Sequence, residues 1–169
     1  MVNKELKNAV IRKMKINIDT ITRASKELIG NIIRTPTIRS QHLSSEINGE
    51  VFLKLENLQH TSSFKVRGAY TSITRLKEEQ KKMGVIAMSA GNHAQAVAWW
   101  AKKERVNATI VMPEHAPLFK VMKTKSLGAD VILRGRTLNE SQTYVSELVN
   151  DKKLTLIHPY DDPNVVIGQ

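Results

Sequence analysis

The chain has 169 residues, of which 41% are hydrophobic and 25% are charged. This composition is typical of a folded globular protein of one domain and excludes an intrinsically disordered chain. The absence of cysteine excludes a disulfide framework and thiolate chemistry. No apolar run reaches the roughly 20 residues that cross a bilayer, and the N-terminus lacks the apolar core of a secretory signal. We therefore expect a cytoplasmic protein that does not contact membranes.

Positive charge is concentrated near the N-terminus. The formal net charge is +10, and residues 1–40 hold nine of the 26 lysines and arginines but three of the 16 acidic residues. We define residues 1–18 as a basic N-terminal segment, which contains Lys4, Lys7, Arg12, Lys13 and Lys15. Because no aromatic residue for base stacking lies among these cations, a solvated basic face is the preferred interpretation. A small basic nucleic-acid-binding protein is the alternative.

Three elements are predicted in the first half of the chain. Asp19 can cap a helix that ends before the Thr35-Pro36 break and has Ile21, Ala24, Leu28 and Ile29 on its apolar face. Residues 51–56 alternate in polarity, as a half-buried strand does. Residues 64–83 predict one further helix, whose apolar stripe is Ala69, Ile73 and Leu76.

Short apolar runs follow at residues 85–88, 108–112, 130–133 and 154–157, and their starts are 23, 22 and 24 residues apart. Each gap has room for one helix. The first helix follows Asn92, the second follows Pro117 with a stripe of Leu118, Val121 and Met122, and the third begins at the capping-box pattern of Thr137 and Glu140. Strands that alternate with single helices imply right-handed crossovers. We predict an α/β fold with a parallel twisted sheet and helices on both faces.

The sequence SAGNHAQ, residues 89–95, directly follows the first of these strands. Ligands of open α/β sheets bind beyond the carboxyl ends of strands, and backbone N–H groups at the start of a helix attract carboxylate or phosphate. Gly91 allows a positive φ or the close approach of a ligand, and the Asn92 amide can donate and accept hydrogen bonds. A plain capped helix start is an equally weighted alternative.

His93 in this motif is a candidate base or metal ligand. Its neighbours in sequence, His60 and His115, are not at helical ligand spacing, and the chain has no cysteine. We therefore predict no metal site. Because no carboxylate is evidently placed to orient the ring, a packed or surface histidine is favoured over a catalytic one.

The sequence SSFKVRGAY, residues 62–70, places Lys65 at the start of a predicted helix. Phe64 can form an apolar wall, and the charge of Arg67 together with the helix N-terminus would lower the pKa of the amine. These conditions favour Schiff-base chemistry near neutral pH. Since most lysines are solvated cations, the local pattern alone leaves a surface role for Lys65 as the more common outcome.

Four segments together, SSFKVRGAY, SAGNHAQAVAWWAKK, NATIVMPEHAPLFKVMKTKSLGADVIL and HPYDDPNVVIGQ, resemble in order and spacing the serine/threonine dehydratases. These are pyridoxal 5'-phosphate enzymes of the tryptophan-synthase-β fold type, and the resemblance covers residues 35–169. It implies two α/β lobes with the cofactor between them. Residues 19–84 would then belong to the larger lobe, residues 85–157 would form the smaller lobe, and residues 158–169 would begin the return to the larger lobe.

The resemblance also implies roles for individual residues. Lys65 matches the lysine that holds pyridoxal phosphate as a Schiff base and then removes the substrate's α-proton, and Phe64 matches the aromatic residue beside the ring. Asn92 matches the asparagine that bonds the phenolic oxygen of the cofactor. The backbone of Ser89, Ala90, Gly91, Asn92 and His93 matches the loop that receives the substrate carboxylate.

The implied reaction is the deamination of L-threonine or L-serine to a 2-oxo acid and ammonia, a lyase reaction of amino-acid metabolism such as isoleucine biosynthesis. The related serine racemases tend to carry a serine at the position of Ala90 as the opposite-face acid or base. Ala90 therefore favours elimination, and a racemase-like protein is a second alternative.

The family continues beyond the position of Gln169 with a glycine-rich phosphate loop and a residue that faces the pyridine nitrogen. We therefore expect a truncated dehydratase that is inactive alone, with a non-catalytic remnant, or assembly with another chain that supplies the rest, as alternatives. The expected partner is a small amino-acid substrate, without nucleic acid, and a homo-oligomer is left open.

Overall fold

The computed structural model describes residues 16–169. The five cations named above in the basic N-terminal segment lie outside the described residues. The helices are α1 Ile18–Glu27, α2 Gln41–Glu46, α3 Lys65–Thr74, α4 Glu78–Met83, α5 Asn92–Lys103, α6 Leu118–Ser126, α7 Leu138–Lys152 and α8 Pro163–Gly168. The strands are β1 Thr37–Arg39, β2 Phe52–Lys54, β3 Val85–Met88, β4 Ala108–Met112, β5 Asp130–Leu133 and β6 Thr155–Leu156. A short 3₁₀ turn, Glu56–Leu58, follows β2.

Four parallel strands form the main sheet in the order β5-β4-β3-β6. Val85 of β3 pairs with Ala108 of β4 on one side and with Thr155 of β6 on the other. The chain thus runs outward from β3 to β4 and β5 and then crosses back to the opposite side of β3. Such a reversal of strand order opens a crevice at the carboxyl ends of the central strands, where open α/β sheets bind ligands.

Helices cover both faces of this sheet, as predicted. Val85 and Ala87 of β3 lie in the larger core, which is shared with α3, α5 and α6. Ile86 between them faces the other way and packs with Val145 and Leu148 of α7. This alternation within one strand reflects the period of two of a β-strand, and it confirms the α/β class.

The predicted strands are confirmed, and the first three have the predicted bounds. The fourth pairs over Thr155–Leu156 alone. Residues 51–56 contribute β2, which forms an antiparallel two-stranded sheet with β1. The expected half-burial of this strand is wrong, because all three residues of β2 are exposed. Thr137 caps α7 as predicted, because its hydroxyl oxygen accepts the N–H of Glu140 at 3.2 Å.

Some details of the predicted helices are wrong. Asn17 rather than Asp19 caps α1, since its side-chain oxygen accepts the Thr20 N–H at 2.9 Å. Ile29, expected on the buried face, is 77% exposed. Residues 64–83 form two helices, because the chain is extended at Lys77 between α3 and α4. In α6 the predicted stripe is buried only at Val121.

Helix α8 packs closely across α3. A Cβ atom placed on Gly68 of α3 would lie 2.6 Å from the carbonyl oxygen of Val165, and one on Gly168 of α8 would meet Thr71 and the Arg67 carbonyl. The two backbones therefore approach each other at glycines, where no side chain intervenes. This contact brings the segment that follows β6 back to the N-terminal end of α3.

Candidate active site

Lys65 is the first residue of α3, and its side chain reaches the segment that follows β6. Its Nζ donates a hydrogen bond to the carbonyl oxygen of Pro159 at 2.8 Å. The same nitrogen lies 5.2 Å from the ring centroid of Phe64. Burial lowers the pKa of the Lys65 amine below its ordinary value, which increases the neutral, nucleophilic fraction.

The position of Arg67 predicts that its charge lowers the pKa of Lys65, but the structure gives Arg67 another role. Its guanidinium donates to both carboxylate oxygens of Glu56, at 2.8 and 2.7 Å. These hydrogen bonds lower the pKa of Glu56 to about 2 and raise the pKa of Arg67. Because the positive charge of Arg67 is paired, burial rather than Arg67 explains the lowered pKa of Lys65.

The turn at residues 89–93 connects β3 to α5. Gly91 has a φ of −136°, so of the two roles considered for this glycine the positive φ is not the one it has. A Cβ atom at Gly91 would meet nothing closer than the Ser89 hydroxyl at 4.0 Å, which leaves space for a ligand to approach the backbone. No side chain caps the described N-terminus of α5. Its first N–H groups are therefore available to an anion.

His93, in the first turn of α5, is 3% exposed. Its Nε2 lies 2.9 Å from the carbonyl oxygen of Ile157, and a carbonyl accepts, so Nε2 carries the hydrogen. Burial lowers the pKa of His93 to about 4, and the charges of Lys65 and His158 act in the same direction. The ring is neutral at physiological pH. Its Nδ1 is a buried acceptor without a partner among residues 16–169.

The two motifs thus meet at one short piece of backbone. His93 binds the carbonyl of Ile157, and Lys65 binds the carbonyl of Pro159 two residues later. A charge interaction also links the two side chains, since Lys65 contributes to the lowered pKa of His93. The structure therefore brings together Lys65, Phe64 and the turn at residues 89–93.

Sequence reasoning missed Pro159 and Glu56. The Pro- and Asp-rich sequence HPYDDP, residues 158–163, indicates a turn. Every residue has a carbonyl, so composition does not reveal which one accepts a side chain. Glu56 carries no motif, and its pairing with Arg67 is visible only after folding.

These residues fit pyridoxal phosphate. An amine of lowered pKa can bond an aldehyde, the adjacent Phe64 ring can contact a planar heterocycle, and Asn92 is exposed at the open turn. A cleft of about 670 Å³ is lined by Ser25 of α1 and the residues that follow this helix, together with Arg34, Lys54, Phe64 and Arg67. Lys65 does not line that cleft, so its chemistry is not assigned there. No cluster of three metal-ligating side chains occurs within the described part of the chain.

The family of pyridoxal-phosphate dependent enzymes matches residues 28–169. The chain belongs to this family. The match extends over α3, the turn at residues 89–93 and the segment after β6, which are the parts that form the site.

Individual relatives narrow the resemblance. The chain is 50% identical over 155 residues to the protein named L-threonine dehydratase catabolic TdcB of Staphylococcus aureus, a match that covers 91% of this chain and 45% of the relative. The structure of threonine deaminase isoform 2 from Solanum lycopersicum is 36% identical, with a TM-score of 0.79 over 90% of this chain and 43% of that one. Serine racemase from Dictyostelium discoideum is 34% identical, with a TM-score of 0.83 over 90% and 50%.

The chain therefore spans about half the length of the relatives it matches. Among the helices of residues 16–169, none combines the length and the apolar character that a transmembrane helix requires.

Proposed function

We propose that the chain supplies the lysine nucleophile and the carboxylate-binding turn of a pyridoxal-phosphate-dependent threonine dehydratase that acts on L-threonine or L-serine. The observation that carries this proposal is the meeting of Lys65 and His93 at residues 157–159. A lysine of lowered pKa beside an uncapped helix start provides a nucleophile and an anion site in one place.

Each residue has a stated task. Lys65 would bond the cofactor covalently, Phe64 would lie beside its ring, and Asn92 would hydrogen-bond its phenolic oxygen. Pyridoxal phosphate, when bound, supplies a ring that accepts the electrons of the substrate's α-carbon. Within the turn at residues 89–93, the N–H of Ser89 donates to the Val111 carbonyl at 3.1 Å and that of Gly91 to the Ser89 hydroxyl at 3.1 Å. The N–H groups of Ala90, Asn92 and His93 would therefore hold the substrate carboxylate, which would fix the α-hydrogen relative to Nζ of Lys65.

Proton movement at Lys65 follows from its surroundings. Burial keeps a larger share of the free amine neutral, so Nζ, once the substrate amine has replaced it on the cofactor, could take the α-proton. The β-hydroxyl would then leave with a proton as water, and hydrolysis of the remaining carbon–nitrogen bond would consume one water and give the 2-oxo acid and ammonia. His93 is neutral and donates its Nε2–H to Ile157, so it supports the turn and does not act as the base.

Elimination is favoured over racemisation by Ala90. A methyl group cannot deliver a proton to the opposite face of the substrate, whereas a hydroxyl at that position could. The 50% identical relative is named a catabolic dehydratase, which favours threonine degradation over the isoleucine-biosynthetic role expected from the sequence. D-serine formation from L-serine would instead favour the racemase alternative.

The share of the relatives that the chain spans bears on activity. We propose that residues 85–157 form the smaller lobe, that residues 19–84 and 158–169 belong to the larger one, and that the chain alone binds cofactor without turnover.

The alternatives left open for the partners have their own tests. Light scattering after gel filtration shows whether the chain forms a homo-oligomer. DNA binding that weakens steeply with salt and does not depend on Lys65 would favour the nucleic-acid alternative.

The central experiment is reductive trapping. The purified chain is incubated with pyridoxal phosphate, reduced with borohydride and digested, and the modified lysines are located by mass spectrometry. We expect the label at Lys65, and none there in Lys65→Ala. 2-Oxo acid release from threonine is assayed in parallel.

Lys54→Ala provides the matched control, because the Lys54 amine also donates to a backbone carbonyl, that of Thr35, at 2.5 Å. The control variant should be labelled at Lys65 as the unchanged chain is. Labelling spread evenly over many lysines would contradict the cofactor site. If the unchanged chain releases 2-oxo acid and Lys65→Ala does not, the chain is a working enzyme. That result would contradict only the expectation that the chain is inactive by itself.

A further inference from the structure

Residues 158–162, which we name the lysine loop, are anchored at both ends. Before the loop, Ile157 donates its N–H to the Ile86 carbonyl at 2.9 Å and accepts from His93. At the far end, Asp162 accepts the hydroxyl of Ser72 at 2.6 Å and the N–H of Asn164 at 2.8 Å. The loop therefore bridges the sheet and helix α3, the helix that begins with Lys65.

Within the loop, His158 shapes the backbone. Its Nδ1 accepts the N–H of Asp161 at 2.9 Å and lies 3.4 Å from the N–H of Tyr160. Its ring also meets the Tyr160 ring edge-on, with centroids 4.7 Å apart. A side-chain acceptor that binds amides two and three residues ahead closes a turn, as an Asx-turn does. Pro159 lies inside this turn with φ fixed by its ring.

We propose that the lysine loop is a docking element for the Lys65 side chain, and that His158 is the positioning residue that keeps the Pro159 carbonyl in place for it. The contact that carries this inference is the 2.8 Å hydrogen bond from Lys65 Nζ to Pro159. The catalytic meaning of the docking rests on the function proposed above, but the docking itself does not.

The docking has a chemical consequence. Burial is what lowers the pKa of Lys65, and the loop contributes to that burial because it lies against the amine. If the loop opens, water reaches Nζ, the ammonium form is stabilised, and the pKa returns toward its ordinary value. Ionisable groups on the surrounding elements are His93 on α5, Arg67 paired with Glu56, and the loop's own His158, Asp161 and Asp162.

The test is competitive acylation of the purified chain without cofactor. Isotope-coded acetic anhydride is applied across a series of pH values, and mass spectrometry gives the pKa and the reactivity of each lysine. Three chains are compared: the unchanged one, His158→Ala and His158→Asn. Asn retains a side-chain acceptor that can close the same turn, whereas Ala does not.

We expect His158→Ala to raise the pKa of Lys65 and to slow its acylation at neutral pH, by about tenfold for each unit of pKa. His158→Asn should behave as the unchanged chain does. Ser72→Ala, which releases the other end of the loop, should shift Lys65 in the same direction by less. Lys54, whose amine binds the Thr35 carbonyl away from the loop, should not change in any variant.

An unshifted Lys65 in both His158→Ala and Ser72→Ala would overturn the proposal. An equal shift in His158→Asn and His158→Ala would overturn the role of the Nδ1 acceptor. Circular dichroism identifies a variant that fails to fold. If His158→Ala does not fold, the acylation of Lys65 in Ser72→Ala and in His158→Asn tests the proposal instead. Because acylation needs no cofactor, a failed trapping experiment with the expected acylation pattern would reject the proposed function and leave the docking intact.

Discussion

His93 is buried, neutral and hydrogen-bonded to the backbone that carries the lysine loop. Its folded pKa of about 4 lies below the unfolded value of 6.5. The unfolded chain therefore binds a proton more readily as pH falls below 6.5. The stability linked to the neutral ring is complete above that pH and is lost progressively toward pH 4.

We accordingly expect the free energy of unfolding to fall by about 2–3 kcal/mol from this residue between neutral pH and about pH 4.5. Urea unfolding at several pH values measures the loss. His93→Gln, which keeps a donor but cannot titrate in this range, should show a smaller loss. An identical pH dependence in the two proteins would contradict the burial of a neutral ring.

The Glu56–Arg67 pair is a second feature at the residue scale. Both side chains are mostly buried, with 14% and 19% of their surfaces exposed, and Thr35 adds a hydrogen bond to the carboxylate. Removing the charge of Glu56 would leave the Arg67 guanidinium poorly solvated and weakly bonded. Loss of a hydrogen bond to a charged group costs more than loss of a neutral one.

Glu56→Gln should therefore lower the free energy of unfolding by about 2 kcal/mol. Glu50→Gln is the matched control, because Glu50 pairs with Arg39 at 3.6 Å with 73% of its own side chain exposed, where ion pairs contribute little. Denaturant unfolding of both variants measures the difference. Equal effects would show that burial of the first pair does not matter.

At the residue scale the motifs around Lys65 and Asn92 are specific enough to propose the site from sequence, and the roles of its residues stay predictions. These motifs do not reveal which backbone groups accept hydrogen bonds from the site residues. Pro159 contributes a backbone carbonyl, and Ile157 likewise, so their roles depend on where the chain returns after β6. The burial that lowers the pKa of Lys65 depends on the same return.

Among the elements, α8 has the tightest contact with the site helix. Its packing on α3 depends on Gly68, where an added Cβ would lie 2.6 Å from a backbone oxygen of α8. A backbone atom cannot move aside as the tip of a flexible side chain can. The strain of a methyl group would therefore separate the two helices and displace the lysine loop.

Gly68→Ala should lower stability by about 1–3 kcal/mol, the usual range for overpacking. It should also reduce trapping of pyridoxal phosphate at Lys65. Gly49→Ala is the control, because its nearest contacts of 3.6 Å are ordinary. Thermal unfolding and trapping of both variants are the measurements, and an unchanged Gly68→Ala protein would mean that α8 is not held at this distance.

The boundaries of the helices and strands show where local sequence patterns are enough to predict secondary structure. The strands of the main sheet are short apolar runs in a regular rhythm, and their prediction is confirmed. The break between α3 and α4 contains no glycine or proline that would indicate it in the sequence. It arises at Lys77, whose N–H is bonded at 3.0 Å by the side chain of Gln80, an N-terminal cap that begins α4.

For the whole molecule, the two sheets differ in burial. Val85, Ile86 and Ala87 of β3 are fully buried, whereas all residues of β1 and β2 are exposed. Fold class was predictable because the strand rhythm needs only local sequence. The burial of each sheet was not predictable from sequence, because it depends on which helices cover that sheet.

Amide hydrogen exchange should therefore be slowest in β3 and β4 and fast in β1 and β2, since few buried apolar contacts oppose local opening of the small sheet. Exchange followed by mass spectrometry of peptides measures this order. Comparable protection of β1 and β3 would indicate that a further surface covers the small sheet in solution.

The two tryptophans of the chain lie next to the site. The indole N–H of Trp100 donates to the carbonyl of Val66 at 2.9 Å, one residue after Lys65, and the Trp99 and Trp100 rings are 4.6 Å apart. Pyridoxal phosphate absorbs where indoles emit, so attachment at Lys65 should quench the fluorescence of this pair by energy transfer. The molecule thus has a built-in optical reporter for occupancy of its own lysine, readable without any added dye.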